Sequence, residues 1–254
     1  MTSLSIDLNS DMGEGFGAYR MGDDAAILDI VSSANIACGL HAGDPEIMAC
    51  TFAAAKQRGV AVGAHPGFPD LWGFGRRIIP FSCAEIERLI AYQIGAAQAL
   101  AVYAGHRMTY VKPHGALGNL TQTDADVASA IGRAIKAVDP SLVLLTFANG
   151  ELERWARDNG MRACAEIFAD RAYTDDGHLV HRKQPGAVLH DPQAAADRVL
   201  RMVQTGAIET VSGKHVPAPI ESICVHSDTP GAIEMAALVR RTLETAGVTV
   251  KPFA

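Results

Sequence analysis

Val111-Lys112-Pro113-His114-Gly115-Ala116-Leu117 is the stretch whose reading decides the fold. A short apolar run ends, and a cluster of reactive side chains follows at once. The same change recurs at Ile6-Asp7-Leu8-Asn9-Ser10-Asp11, at Ala34-Asn35-Ile36-Ala37-Cys38-Gly39-Leu40-His41, and at Val60-Ala61-Val62-Gly63-Ala64-His65-Pro66. It returns at Glu166-Ile167-Phe168-Ala169-Asp170-Arg171 and at Ile223-Cys224-Val225-His226-Ser227-Asp228. Chemical groups set just past the ends of many buried strands are how an α/β barrel gathers one active site from distant sequence. An open doubly wound sheet concentrates its chemistry at one switch point instead. The pattern favours the barrel and reads as an enzyme.

The elements between these clusters fit that architecture. Strands are expected at 4–9, 33–38, 60–64, 109–112, 142–147, 163–168 and 222–226, with a last run near 248–251. Their apolar character predicts a parallel sheet buried on both faces and covered by helices. Asp44-Pro45 opens a helix that Gly59 stops, and Ser82-Cys83-Ala84-Glu85 is a capping box before a long helix ending near Tyr103. Further helices are expected at about 124–137, 151–159, 192–205 and 230–246, and a small hairpin at 207–219. Seven or eight β-then-α repeats in 254 residues suit one domain spanning 1–254. Two long polar segments, 66–80 and 169–191, have the character of lids or binding loops.

Composition removes several function classes. The net charge of −6 is scattered, and no basic stripe exists to hold a nucleic acid. No apolar run reaches the roughly 20 residues of a membrane span, and the N-terminus lacks a signal-peptide pattern, so a cytoplasmic location is expected. The five cysteines contain no C-x-x-C pair, which argues against a zinc knuckle or a disulfide scaffold. Cys38, Cys164 and Cys224 read as small buried hydrophobes.

The clusters themselves supply the candidate chemistry. Asn9-Ser10-Asp11-Met12-Gly13-Glu14-Gly15-Phe16-Gly17 sets two carboxylates among glycines after the first strand, suited to base chemistry, a metal, or an anion cradle. His41, His65, His114 and His226 each follow a different strand, so they can transfer protons near neutral pH or bind a metal with Asp11 or Asp44. Lys112 at a strand end can face an oxyanion or a phosphate, serve as a base, or be an ordinary surface lysine. Arg76 and Arg77 on a glycine-rich loop can clamp a carboxylate or a phosphate, or form salt bridges. Asp170, Arg171 and Asp228 complete the set, although Asp228 can equally cap the helix that follows. No P-loop and no G-x-S-x-G elbow is present, so any ATP is bound in another way.

Taken together, Asp7 through Gly17, Ala34 through Pro45, Gly63 through Asp70, Gly73 through Arg77, Val111 through Leu117 and Phe168 through Tyr173 resemble the LamB/YcsF family. The resemblance covers nearly the whole chain. It implies a distorted TIM-like barrel similar to the glycoside hydrolase/deacetylase superfamily. It also implies the work of the A subunit of prokaryotic 5-oxoprolinase: ATP-dependent opening of the 5-oxoproline lactam to L-glutamate, with partner subunits B and C. On that reading Asp11, His65, Lys112 and His114 are catalytic. Asn9, Glu14, His41, Asp44, Arg76, Arg77, Asp170, Arg171, His226 and Asp228 bind substrate. Two positions depart from the family's usual pattern, Gly118 where it has tyrosine and Ser227 where it has glycine. The missing tyrosine suggests room for a larger lactam. Two rivals stay open: a metal-dependent deacetylase or amidohydrolase working alone, with Asp11, His41 and His65 as ligands, and a lactam-binding carrier without catalysis.

Overall fold

The computed structural model describes residues 4–227 and 231–254. The chain runs β1 (Ser5–Met12), α1 (Asp24–Leu28), β2 (Ser33–Ala37), α2 (Pro45–Gln57), β3 (Ala61–His65), α3 (Cys83–Tyr103), β4 (Met108–Val111) and α4 (Gly115–Leu120). It continues through α5 (Ala125–Val138), β5 (Val143–Phe147), α6 (Glu151–Asp158), β6 (Ala163–Phe168) and α7 (Pro192–Thr205). The antiparallel hairpin β7 (Ala207–Glu209) and β8 (His215–Pro217) follows, then β9 (Ser222–Val225), α8 (Ala232–Thr245) and β10 (Thr249–Val250).

Seven parallel strands close into a barrel in the order β1-β2-β3-β4-β5-β6-β9, with β9 pairing back onto β1 from Asp7 to Ser10. β10 extends the same edge of β1 below β9, at Ser5 and Ile6. The helix starts follow the expected chemistry. The Asp44, Asp124 and Asp191 side chains cap α2, α5 and α7, and Ser82 and Glu85 form the capping box of α3. Two short helices, α1 and α4, lie where none was expected, because their five and six residues are too few to show a period.

The expectation of strands apolar on both faces is overturned. Leu8, Ile36, Val62, Val111, Leu144 and Ile167 face the helices and form the main core. The alternate residues point into the lumen, where Asp7, Asn9, Asn35, Tyr110, Lys112, Glu166, Ser222 and Cys224 are all buried. Polar groups survive there because they satisfy one another, as buried polar groups must. The lower lumen is apolar, with Tyr110, Val143, Leu145 and Cys164 closed from below by Phe253, whose ring lies 4.9 Å from that of Tyr110. Gly63 is required on β3, since a Cβ there would lie 2.3 Å from the Tyr110 ring. No helix among the described residues is long and apolar enough to cross a membrane.

Candidate active site

The site grows from the polar lumen. Asp7 anchors its lower end, taking hydroxyl protons from Ser32 (2.7 Å), Ser33 (2.6 Å) and Ser222. Burial nevertheless lifts the Asp7 carboxyl to about 6. Above it, Asn9 donates to Ser222 (2.7 Å) and Glu166 (3.2 Å). Asn35 donates to Asn9 (2.7 Å) and Asp11 (2.8 Å), and is itself fixed by the Tyr110 hydroxyl (2.7 Å). Lys112 Nζ reaches Asn9 (3.1 Å), Asp11 (3.2 Å), Cys224 Sγ (3.2 Å) and Glu166 (3.0 Å). Burial works against the ammonium, but Asp11 and the groups beside it override this and hold its pKa well above the ordinary lysine value. Asp11 is likewise kept ionised, because His65 and Lys112 outweigh its desolvation. Glu166, wholly buried, is pushed up by its burial despite Lys112.

At the upper end of β3 the His65 ring meets that of His114. His65 Nδ1 lies 2.7 Å from the Lys112 carbonyl oxygen, and His114 Nε2 lies 2.7 Å from the Phe74 carbonyl oxygen. A carbonyl only accepts, so both of these nitrogens carry hydrogen. That leaves His65 Nε2 and His114 Nδ1 facing each other at 2.9 Å. Two lone pairs repel, so the contact requires one proton in it. Burial, with His65 next to it, lowers the His114 pKa to about 3. His65 Nε2 also lies 3.3 Å from Asp11 Oδ2. His41 stacks on the far face of His114, with centroids 3.7 Å apart. Glycines allow this packing: a Cβ at Gly67 would lie 2.6 Å from His41 Nδ1, and one at Gly75 (φ +62°) would lie 2.8 Å from His114.

Asp11, His65, Lys112, His114, Arg76, Arg171 and His226 line one cavity of about 340 Å³, together with Phe147, Phe168 and the 179–183 segment. Its mouth is cationic although the whole chain is acidic, since Arg76, Arg171, Arg182 and Lys183 all face it. Burial, followed by the neighbouring Arg182, lowers Arg171 to about 10. Part of the Arg171 guanidinium is spent on the Ala187 (3.3 Å) and Val180 (2.6 Å) carbonyls, which hold the 169–191 loop over the site.

Other expected site residues sit elsewhere. Asp44 lies outside the cavity, where its carboxylate takes the Glu46, Ile47 and Gly17 amides. Arg77 turns away to pair with Asp70, which also accepts the Gly73 amide, so it shapes the loop that carries Arg76. Asn9 is beneath Lys112, in the lumen, and orients it. Asp170 holds His226 Nδ1 at 2.8 Å instead of lining the cavity. Glu14 stands 4.0 Å from His114. Asp228 lies outside the described residues. At Gly118, where the family has tyrosine, a Cβ would meet the Pro113 carbonyl oxygen at 2.5 Å and lie 3.8 Å from the ring of Phe147, which lines the cavity.

His41 and His114 are not placed to ligate one metal ion together, although both ring nitrogens of His41 are buried without a hydrogen-bond partner. Glu14, His41, His65 and His114 can offer donor atoms within 4.8 Å of one another. The His41 and His114 rings are parallel to within 7° and stacked, so their in-plane lone pairs run side by side and do not converge on one ion. In a second group, Asp11, Cys224 and His226, burial holds the Cys224 thiol protonated well above its usual range.

Glu166, Asn35, Tyr110 and Cys224 belong to the site although none of them stands out as a site residue in the sequence, and Cys224 is more than the packing thiol expected. The available signal was polar alternation inside strands: Asp7-x-Asn9-x-Asp11, Ser33-x-Asn35, Tyr110-x-Lys112 and Ser222-x-Cys224-x-His226.

The profile of the LamB/YcsF family matches residues 6–254. The chain belongs to the LamB/YcsF family. Among its relatives is the 5-oxoprolinase A subunit of Azorhizobium caulinodans, 64% identical over 250 residues that cover 98% of this chain and 99% of the relative. The lactam utilization protein of Thermus thermophilus superposes with a TM-score of 0.93 at 45% identity, covering 98% and 100% of the two chains. T48 deacetylase, 15% identical with a TM-score of 0.52 over 98% of this chain and 88% of its own, shares the fold alone. The barrel that the strand-end clusters led us to expect is thus present, and its distorted, deacetylase-like form is the one the family resemblance implied.

Proposed function

We propose that this chain is the A subunit of a 5-oxoprolinase, which opens the 5-oxoproline lactam to L-glutamate with hydrolysis of ATP, together with partner subunits B and C. The observation that carries the reading is one cavity holding both a proton-accepting imidazole pair and a cationic mouth. The full-length likeness to chains named for that activity supports it.

The lactam is an amide, a poor electrophile, and coupling to ATP supplies the drive. On this reading the lactam oxygen is phosphorylated first, and water then attacks the activated carbon. Once His65 and His114 have lost their shared proton, their facing lone pairs accept the O–H of that water, with Asp11 orienting it. Lys112 keeps Asp11 ionised and sets a fixed positive charge beside the developing negative oxygen. Arg76 holds the substrate carboxylate. ATP is bound mainly by the partners or at their interface, in keeping with the missing P-loop. Oxygen-18 placed in the lactam carbonyl should appear in inorganic phosphate, and phosphate free of label would remove the phosphorylated intermediate. A metal-dependent amidohydrolase acting alone would instead show stoichiometric metal and turnover without ATP. For a pure carrier, His114→Ala or Asp11→Ala would lower turnover only as far as it lowered lactam binding.

A further inference from the structure

His226 and Asp170 form a second proton-bearing unit in the cavity, which the mechanism above leaves unused. His226 follows β9, which lies on the opposite side of β1 from the strands that supply His65 and His114. Its Nδ1 is 2.8 Å from Asp170 Oδ2, with both side chains about nine-tenths buried. An ionised carboxylate only accepts, so Nδ1 carries hydrogen and Nε2 is the atom left for the cavity. Phe168 stacks on the ring at 6.0 Å, and Arg198 ties down the carbonyls of Phe168 (3.2 Å), Ala169 (3.3 Å) and Arg171 (2.5 Å), so the turn bearing Asp170 is fixed.

We propose that His226, oriented by Asp170, is the general acid of ring opening and delivers its Nε2 proton to the lactam nitrogen as the C–N bond breaks. The inference rests on the 5-oxoprolinase reading. Water oxygen bonds to the carbonyl carbon and its proton goes to the imidazole pair. The C–N electrons remain on nitrogen, which takes the His226 proton and leaves as the amine; the acyl phosphate so formed is then hydrolysed by a second water to the glutamate carboxylate and inorganic phosphate. The proton on the imidazole pair then returns to His226 through solvent, which closes the cycle. Without that acid, an alkylamide anion would have to depart, and loss of phosphate with return of the intact lactam becomes the easier collapse. Nitrogen protonation therefore decides whether ATP is used or wasted.

The charges facing His226 suit an acid. Burial opposes the imidazolium, but Asp170 and then Asp11 outweigh it and raise the pKa, against a smaller opposing effect of Arg182. Cys224, within 4.8 Å, is a neutral thiol, and His190 lines a small cavity next to the ring.

The test uses the complete enzyme with its partner subunits and two substrates, 5-oxoproline and its ring-sulfur analogue, whose thiolate leaves without a proton. His226→Gln should lower kcat on the lactam by roughly 10²–10⁴-fold, and should release more phosphate per glutamate. It should keep turnover of the sulfur analogue within a few-fold of wild type. Equal loss on both substrates overturns the proposal. The wild-type enzyme gives an independent readout, because the ratio of lactam to thiolactone turnover should fall at alkaline pH as His226 deprotonates. A ratio flat with pH overturns the proposal even where the variant does not fold. If wild type opens neither ring, the 5-oxoprolinase reading fails first and this inference falls with it.

Discussion

Lys112→Met tests the lumen network most severely. The ammonium is within 3.2 Å of Asp11 and 3.0 Å of Glu166, carboxylates whose side chains are 14% and 1% exposed. Methionine keeps the volume and removes the charge, leaving two carboxylates without their cation. Removing one partner of a buried pair costs about 3–5 kcal/mol. A chain of this size loses roughly 2–4 °C of Tm per kcal/mol, so a fall of about 6–20 °C is expected at neutral pH. Glu166, already raised by burial, should escape by taking a proton, so the loss should shrink as the pH is lowered. Lys112→Met with Glu166→Gln should recover much of the stability, since the glutamine needs no counter-ion. Thermal unfolding followed by circular dichroism at two pH values, for both variants, is the assay. A loss below about 1 kcal/mol, or no recovery in the double variant, would refute a charge network in the barrel.

Other consequences follow from single residues. Burial raises Asp7 to about 6 from 3.8, so the folded state binds its proton more tightly than the unfolded chain and stability is lost as pH rises through that window. Asp7→Asn should flatten denaturation midpoints between pH 4 and 7 and add up to roughly 3 kcal/mol at pH 7. Arg76→Ala should raise KM for the substrate by roughly 10–150-fold, the worth of a charge-assisted hydrogen bond, with a smaller effect on kcat. Steady-state kinetics of the assembled enzyme check this. Gly118→Tyr should destabilise the fold by about 1–3 kcal/mol through overpacking against the Pro113 carbonyl, readable by denaturant titration.

The sequence made the barrel legible because its strands end in clusters, and Val111–Leu117 and Val60–Pro66 carry that signal even in isolation. The capping residues Asp44, Ser82, Asp124 and Asp191 mark helix starts for a local reason, hydrogen bonds to amides two or three residues on. The lumen was not legible in the same way. Its polar residues are interleaved with helix-facing Leu8, Ile36 and Ile167, so each strand looks apolar as a run and polar only at every second place. Arg76 and Arg77 are adjacent in sequence and equal in chemistry, and only the fold of the 66–80 loop sends one to the cavity and the other to Asp70. Asp44 and Asp170 look like substrate ligands because they follow strands, but a free amide row and an imidazole reach them first.

The central claim is that this cavity opens a lactam at the expense of ATP. The direct measurement is L-glutamate release from 5-oxoproline by the purified chain with ATP, with and without partner subunits B and C. The account predicts glutamate only when ATP and the partners are both present, and its near-abolition in Asp11→Asn and His114→Ala complexes that still assemble. Glutamate formed without ATP, or undiminished in those two variants, would contradict it.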